Sequence, residues 1–139
     1  MASVRTPDPH PDTRLVLIAM MVAASLTGCA QGALPGVATY DPSGSGGDAA
    51  QLKGMVRDDG DWLPIESPDI EPPANIATPV FPRSRVDRDG GVFVFDGARY
   101  GTGDTIELGG GEVPGDADVV RDADIPAGCE PPYFIVNQD

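Results

Sequence analysis

Residues 83–113 form the longest proline-free stretch after residue 50, and this limits where a regular core can lie. Proline lacks a backbone N–H donor, so it suits neither a helix interior nor the middle of a sheet. Inside the stretch, residues 91–95 read Gly-Val-Phe-Val-Phe, a β-branched and aromatic pattern that favours a strand. No segment after residue 29 keeps a 3.6-residue apolar period for three turns. The sequence therefore predicts a mainly β protein: a small all-β domain built as a meander, a barrel or a sandwich-like fold.

A tight hairpin is predicted at Asp96-Gly97, because a two-residue turn of this kind needs positive φ at both positions. Such a turn sets the register, which pairs Phe95 with Ala98, Val94 with Arg99 and Phe93 with Tyr100. Paired residues share one face of a sheet. We therefore expect Phe93, Phe95, Ala98 and Tyr100 on the core face, since the opposite face carries the charge of Arg99.

A third strand is predicted at residues 105–108, where Thr-Ile-Glu-Leu alternates polar and apolar side chains. We expect Ile106 and Leu108 to join the core face, and Gly109-Gly110-Gly111 to end the strand. Residues 91–108 would then form a three-stranded meander. The glycine run does not match a phosphate-binding loop, because no Lys-Ser or Lys-Thr pair follows it.

The segments that flank this stretch have weaker patterns. Residues 51–66 predict two short strands around Asp58-Asp59-Gly60-Asp61, because glycine and aspartate suit tight turns. Trp62 follows that turn and is predicted to be a core or half-buried residue. Residues 67–82 contain five prolines and are expected to be extended and irregular. Residues 133–136 are predicted as a short strand docked beside the meander.

The N-terminal region contains an apolar run at residues 15–26, preceded by Arg14 and followed by Thr27-Gly28-Cys29. A basic flank, a short apolar core and a small-residue cleavage region are the parts of an export signal. The run has 12 residues, whereas a helix needs about 20 to cross a bilayer. A permanent membrane span is therefore the weaker interpretation.

The sequence Leu26-Thr27-Gly28-Cys29 resembles the lipobox of bacterial lipoproteins. The resemblance implies that residues 1–28 are a cleaved signal peptide and that Cys29 receives a diacylglyceryl group. Two acyl chains suffice for stable anchoring, whereas one chain binds a membrane only marginally. The expected location is the cell membrane, with the protein lipid-anchored on its extracytoplasmic face. An uncleaved short anchor and a plainly secreted protein are the alternatives.

Residues 29–50 are predicted to be the lipidated N-terminus and a flexible tether. They contain the run Ser43-Gly44-Ser45-Gly46-Gly47, which has no side chains to pack and high backbone entropy. Residues 51–139 are then predicted to form one small β domain, with residues 67–82 as its irregular proline-rich part.

Acidic residues outnumber basic ones by 22 to 9, which gives a net charge of −13. Loss of residues 1–28 removes two charges of each sign, so the mature chain keeps this net charge. Such a surface repels phosphate backbones, and a nucleic-acid partner is not expected. The acidity serves either solubility or, alternatively, the attraction of cations or a basic partner.

The single histidine, His10, lies in the predicted signal peptide. A mature chain without imidazole excludes Ser-His-Asp and Cys-His catalysis, as well as metal sites that need histidine ligands. We therefore predict no catalytic residues, no metal site and no cofactor, and the protein is not expected to be an enzyme.

Aspartate-rich loops leave a cation site open as an alternative, since carboxylates are ligands for calcium. They occur at residues 58–61, 87–90 and 116–124. The first loop lacks the spacing and the distal glutamate of an EF-hand, so turn chemistry is the main interpretation.

Cys129 has no partner within the chain if Cys29 is acylated. Its thiol is then buried or paired with another chain, since a lone thiol is otherwise exposed to oxidation. Without acylation, a Cys29–Cys129 bridge is the alternative.

The main functional hypothesis is a membrane-anchored envelope lipoprotein whose small, non-enzymatic β domain contacts another protein or the cell wall. The alternative is a binding module for a cation or small ligand, which would use the aspartate-rich loops with Trp62 or Tyr100. A hydrolase with paired carboxylates is a third hypothesis.

Overall fold

The computed structural model describes Ser3, residues 34–43 and residues 48–139, and these residues confirm the mainly β prediction. The predicted signal-peptide core and Cys29 lie outside the described residues. The strands are β1 (Ala38–Tyr40), β2 (Ala50–Val56), β3 (Ile65–Glu66), β4 (Ile76–Pro82), β5 (Val86–Asp89), β6 (Val92–Phe95), β7 (Ala98–Tyr100), β8 (Thr105–Val113) and β9 (Tyr133–Val136). A short 3-10 turn, Arg83–Arg85, and a short helix, α1 (Asp118–Asp122), lie between strands.

Five of these strands close into a small barrel. The ring runs from β4 to β3, β2, β8 and β9, and β9 returns to pair with β4. The β4–β9 pair is parallel, and the other pairs of the ring are antiparallel. Closure leaves fewer exposed strand edges than an open sheet would have. Of the three architectures expected from the sequence, the barrel is therefore the one that forms.

The hairpin prediction is confirmed residue by residue. Strands β6 and β7 pair in the expected register, Phe93 with Tyr100 and Phe95 with Ala98. The turn residues Asp96 and Gly97 have φ values of +49° and +79°, as a turn of this type requires. Both phenylalanines are buried and Tyr100 is half-buried, but Ala98, which was expected on the core face, is exposed beside the turn.

The meander prediction is wrong in its third strand. Ile106 and Leu108 are buried as expected, but β8 pairs with β2 and β9 rather than with β7. The turn before β8 is bonded to β2: Gly103 N–H donates to the Val56 carbonyl, and Val56 N–H donates to the Asp104 carbonyl, both at 2.8 Å. These bonds direct the chain into the barrel, and β5 completes the smaller sheet, β5-β6-β7.

The prediction that Gly109-Gly110-Gly111 ends a strand is also wrong, because β8 continues through all three glycines to Val113. A Cβ atom at Gly110 would lie 1.9 Å from the Ile135 carbonyl oxygen, and one at Gly111 would lie 2.1 Å from a carboxylate oxygen of Asp48. The glycines therefore let β9 and residue 48 approach the β8 backbone closely.

The proline-rich segment contains a strand that the sequence did not predict. Residues 76–82 form β4, and six of its seven residues are buried. Strands β1, β3 and β9 each pair with only two or three residues of β4. The prolines of β4 lack an N–H donor, but they therefore interrupt no long ladder of backbone hydrogen bonds. Residues 67–75 contain turns without a strand, as expected.

The tether prediction is wrong for the part of residues 29–50 that the structure describes. Strand β1 pairs in parallel with β4, placing Ala38 opposite Val80. Val37, Ala38 and Thr39 are buried, and Leu34 packs against the core. The Gly/Ser run therefore lies between strands β1 and β2 in the chain, and the folded domain includes residue 34 rather than starting at residue 51.

Two apolar clusters fill the domain. The larger one occupies the barrel and the underside of the smaller sheet, where the Phe81 ring lies 5.1 Å from Phe93 and 5.2 Å from Phe95 between centroids. The smaller one lies on the other side of β4 and β9, under β1 and α1, and its buried members are Ala38, Val80, Val120 and Tyr133. Strand β9 is confirmed at its predicted residues, and it lies beside β8, the third strand predicted for the meander; both belong to the barrel, where β9 also pairs with β4.

Candidate functional site

A groove opens at the edge of the smaller apolar cluster, between α1 and the outer face of β8 and β9. Its volume is about 560 Å³, which is within the usual range for ligand sites of about 300–1,000 Å³. We call it the acidic groove, and it is lined by Tyr40, Asp41, Ser43, Asp48, Val113, Val119, Asp122, Ile135 and Gln138.

The apolar floor of the groove comes from three separate segments. In β9, side chains alternate, so Phe134 and Val136 enter the barrel core while Ile135 faces the smaller cluster. Val113 ends β8, and Val119 lies on α1 beside the buried Val120. All three floor residues are half-buried, so part of their apolar surface is open to the groove.

Tyr40 forms a wall of the groove at the end of β1. Its hydroxyl donates a hydrogen bond of 2.6 Å to the Val136 carbonyl, which holds the ring against β9. Burial raises the pKa of Tyr40 above its ordinary value, and the nearby charge of Arg85 acts in the opposite direction. The phenol is therefore neutral at physiological pH and contributes an apolar surface with one committed polar atom.

Three aspartates surround this apolar floor. Asp41 accepts from Nε of Arg83 at 3.1 Å, and the same guanidinium contacts Asp124 at 3.1 Å. Among the described residues, neither Asp48 nor Asp122 has an ion pair through its carboxylate. The rim is consequently negative overall.

The arginines of the described residues are already engaged in ion pairs. Each of the six has a carboxylate partner, in the pairs Arg57–Glu66, Arg83–Asp41 and Asp124, Arg85–Asp96, Arg88–Asp58, Arg99–Asp89 and Arg121–Asp118. Neutralising the rim with one of these arginines would require breaking its existing pair.

In the turn at residues 58–61, the aspartates stabilise the turn, as the main interpretation of the sequence predicted. The Asp58 carboxylate binds Arg88 through both of its oxygens and accepts from Gly60 N–H at 3.1 Å. One oxygen of Asp59 accepts from the backbone N–H groups of Asp61 and Trp62, at 2.9 and 2.7 Å. These carboxylates stabilise the turn rather than converging on a common point.

In the other aspartate-rich loops, the carboxylates also bind separate partners rather than a common point. Asp89 pairs with Arg99 across the smaller sheet, and Asp118 pairs with Arg121 on α1. Asp124 bonds Arg83 instead. Within residues 34–43 and 48–139, no three histidine, cysteine or acidic side chains are arranged to hold a metal ion.

Trp62 and Tyr100, the aromatic residues of the alternative binding hypothesis, do not line the groove. Trp62 is half-buried, as predicted, and its indole N–H donates to the Thr78 hydroxyl at 2.9 Å. That hydroxyl donates in turn to the Glu130 carbonyl. Tyr100 packs against Phe93, with 6.2 Å between ring centroids. Both aromatic residues therefore support the core.

Cys129 is buried, which confirms the expectation from its lone occurrence in the domain. Its sulfur lies 3.8 Å from the Gly36 carbonyl oxygen. Burial, with a smaller contribution from the charge of Asp59, raises the pKa of this thiol to about 11. Thiolate is the reactive form of cysteine, so Cys129 is a poor nucleophile at neutral pH. Cys29, the predicted lipid-attachment residue, lies outside the described residues.

Sequence reasoning missed the acidic groove because its floor joins residues 113, 119 and 135, which no local pattern connects. One signal was present: the alternation within Tyr133–Val136 places residue 135 on the face opposite its neighbours. Recognising the groove also required knowing that α1 covers that face.

Comparison of the chain with protein-family models, with curated proteins and with solved structures finds no match. None of the helical segments in the described part of the chain has the length and apolar character needed to span a membrane.

Proposed function

We propose that this protein is a lipid-anchored envelope protein whose β domain binds a partner and performs no catalysis. The observation that carries the binding function is the acidic groove, an open apolar floor bordered by Asp48 and Asp122, whose carboxylates form no ion pair within the described part of the chain. Open apolar surface beside convergent polar groups is the usual composition of a binding site. The partner in this proposal is another envelope protein or the cell wall.

The anchor in this proposal is a diacylglyceryl group on Cys29, and it is supported by the sequence Leu26-Thr27-Gly28-Cys29 after an apolar run. Only residues 30–33 separate Cys29 from Leu34, which packs on the domain core. An extended chain spans at most about 3.6 Å per residue, so the five residue-to-residue steps from Cys29 to Leu34 reach about 18 Å. The domain would therefore work close to the membrane surface rather than on a long tether.

Replacement of Cys29 by serine tests the anchor. We expect wild-type protein in the membrane fraction, with an intact mass that includes the acyl chains on a chain starting at residue 29. The Cys29→Ser variant should leave the membrane fraction or remain as an uncleaved precursor. Unchanged fractionation together with an unchanged mass would contradict the proposal, as would a mature chain that begins at Ala30.

A further inference from the structure

The charge and shape of the acidic groove indicate which class of ligand it binds, an inference that rests on the proposed binding function. We propose that the groove binds a basic peptide segment of a partner protein, in which lysine or arginine alternates with apolar side chains.

The charge of the rim favours a cationic occupant. Asp48 and Asp122 have no ion-pair partner among the described residues, and Asp41 shares the single guanidinium of Arg83 with Asp124. The rim therefore offers three net negative charges at pH 7, and the other arginines nearby are held in their own pairs. An anionic peptide or an anionic lipid headgroup would be repelled by the same carboxylates.

The floor of the groove favours an occupant that also buries apolar atoms. Val113, Val119 and Ile135 present half-buried aliphatic surface below the rim. Lysine and arginine can lay their aliphatic stems on such a surface while their charged ends reach a carboxylate. A cavity of about 560 Å³ holds several side chains, which a short peptide segment supplies and a single inorganic cation does not.

A metal ion fits the same residues less well. Hard cations need several oxygen ligands at about 2.3–2.6 Å around one point. In the part of the chain that the structure describes, no three candidate ligands meet this requirement. Ion pairs with successive charges of a peptide do not need carboxylates that converge on one point, so the same residues suit a peptide better than a metal ion.

The test uses the full-length protein, purified in a non-ionic detergent, and a fluorescein-labelled peptide of sequence Lys-Leu-Lys-Leu-Lys. Fluorescence anisotropy measures the affinity of this probe and of its Glu-Leu-Glu-Leu-Glu counterpart. We expect saturable binding of the basic probe only. Because the contacts are electrostatic, binding should weaken as salt rises from 50 to 500 mM.

The Asp48→Asn, Asp122→Asn double variant removes the two carboxylates of the groove lining that form no ion pair with a described residue. An exposed ion pair typically contributes 0.2–1 kcal/mol, so the loss of two should weaken binding by about 2- to 30-fold. The matched control is Asp69→Asn with Glu71→Gln, which makes the same change of net charge in the loop between β3 and β4. This control should bind the probe as the wild type does.

Equal weakening in both double variants would overturn the proposal, because it would show attraction to net charge rather than to the groove. Absent binding of the basic probe, or equal binding of the acidic one, would overturn it as well. The single variants Asp48→Asn and Asp122→Asn keep the test decisive if the double variant unfolds. This result is separate from that of Cys29→Ser: probe binding can fail while the anchor holds, and the anchor can fail while the groove binds.

Discussion

Arg88 on β5 forms a two-point ion pair with Asp58, which lies 30 residues earlier in the turn after β2. The two side chains are only 10% and 12% exposed. The same guanidinium donates to the Pro35 carbonyl at 2.8 Å and to the Gly91 carbonyl at 3.0 Å. One side chain therefore joins the entry segment, the barrel turn and the smaller sheet.

Replacing Arg88 by methionine should destabilise the domain strongly. Removing one partner of a buried ion pair leaves the other charge without compensation, at a typical cost of about 3–5 kcal/mol. Two backbone acceptors lose their donor as well. Urea denaturation measures the change in the free energy of unfolding. Arg88→Lys keeps the charge but loses the planar two-point geometry. The free energy of unfolding of this variant should therefore lie between those of the wild type and the methionine variant. A loss below about 1 kcal/mol in the methionine variant would show that the pair is not structural.

Gly110 and Gly109 are adjacent in β8 but should respond differently to alanine. A Cβ atom at Gly110 would meet the Ile135 carbonyl oxygen at 1.9 Å, whereas the nearest atom at Gly109 is Asn137 Nδ2 at 3.6 Å. Overpacking costs about 1–3 kcal/mol, and a backbone obstacle places Gly110→Ala at the upper end. Gly109→Ala should change the free energy of unfolding by less than about 1 kcal/mol. A small stabilisation is consistent with this expectation, because alanine lowers the conformational entropy of the unfolded chain. Thermal unfolding of both variants would decide, and equal melting temperatures would contradict the observed strand contact.

The Cys129 thiol should react slowly in the folded protein. With its pKa raised from the ordinary value of 9.0 to about 11, its thiolate fraction at pH 8 is about a hundredfold below that of an unperturbed thiol. The measurement is the rate of reaction with an aromatic disulfide reagent in a Cys29→Ser background, where one thiol remains. Rapid reaction at the rate of the urea-unfolded chain would contradict the burial.

The same pKa shift predicts a direction for the pH dependence of stability. The folded thiol keeps its proton to higher pH than the unfolded one, so protonation favours the folded state. This contribution is complete below the unfolded pKa, near 9, and is lost as pH rises toward about 11. Stability should therefore fall more steeply between pH 9 and 11 in the Cys29→Ser protein than in the same protein with Cys129→Ala. Parallel profiles would show that the thiol does not titrate this way.

Calcium should not stabilise the protein appreciably. Asp58 is bonded to Arg88, and Asp59 is bonded to two backbone N–H groups, so ligation would have to break bonds that hold the turn. A ligand that binds only the native state raises its melting temperature. We expect a change below about 1 °C at millimolar calcium, with magnesium as the control. A calcium-specific rise of about 5 °C or more would restore the cation-binding hypothesis.

Local chemistry was sufficient to predict the hairpin at residues 93–100. The turn residues Asp96 and Gly97 accept positive φ, and a two-residue turn leaves one register for the strands beside it. Strand β9 was predictable for a similar reason, because four apolar or aromatic residues follow two prolines. In both cases the information lies within eight residues of the element.

The strands that were missed depend on residues far away in the chain. The β-structure of residues 76–82 needs β1, β3 and β9 as partners, and no local pattern indicated that a segment with two prolines would have them. Strand β1 was hidden inside a segment whose glycine and serine content indicated a tether. Its place is decided by pairing with β4 and by burial of Val37 and Ala38.

The amino-acid sequence alone determined the mainly β class, the hairpin register and the surplus of negative charge, because composition and adjacent residues suffice for each. Only the tertiary structure decided that the strands close into a barrel, that the glycine run of β8 admits β9, and that Val113, Val119 and Ile135 meet under an acidic rim. The reason is physical: side-chain alternation and turn geometry act between neighbours, whereas barrel closure and groove formation depend on which distant surfaces exclude water together.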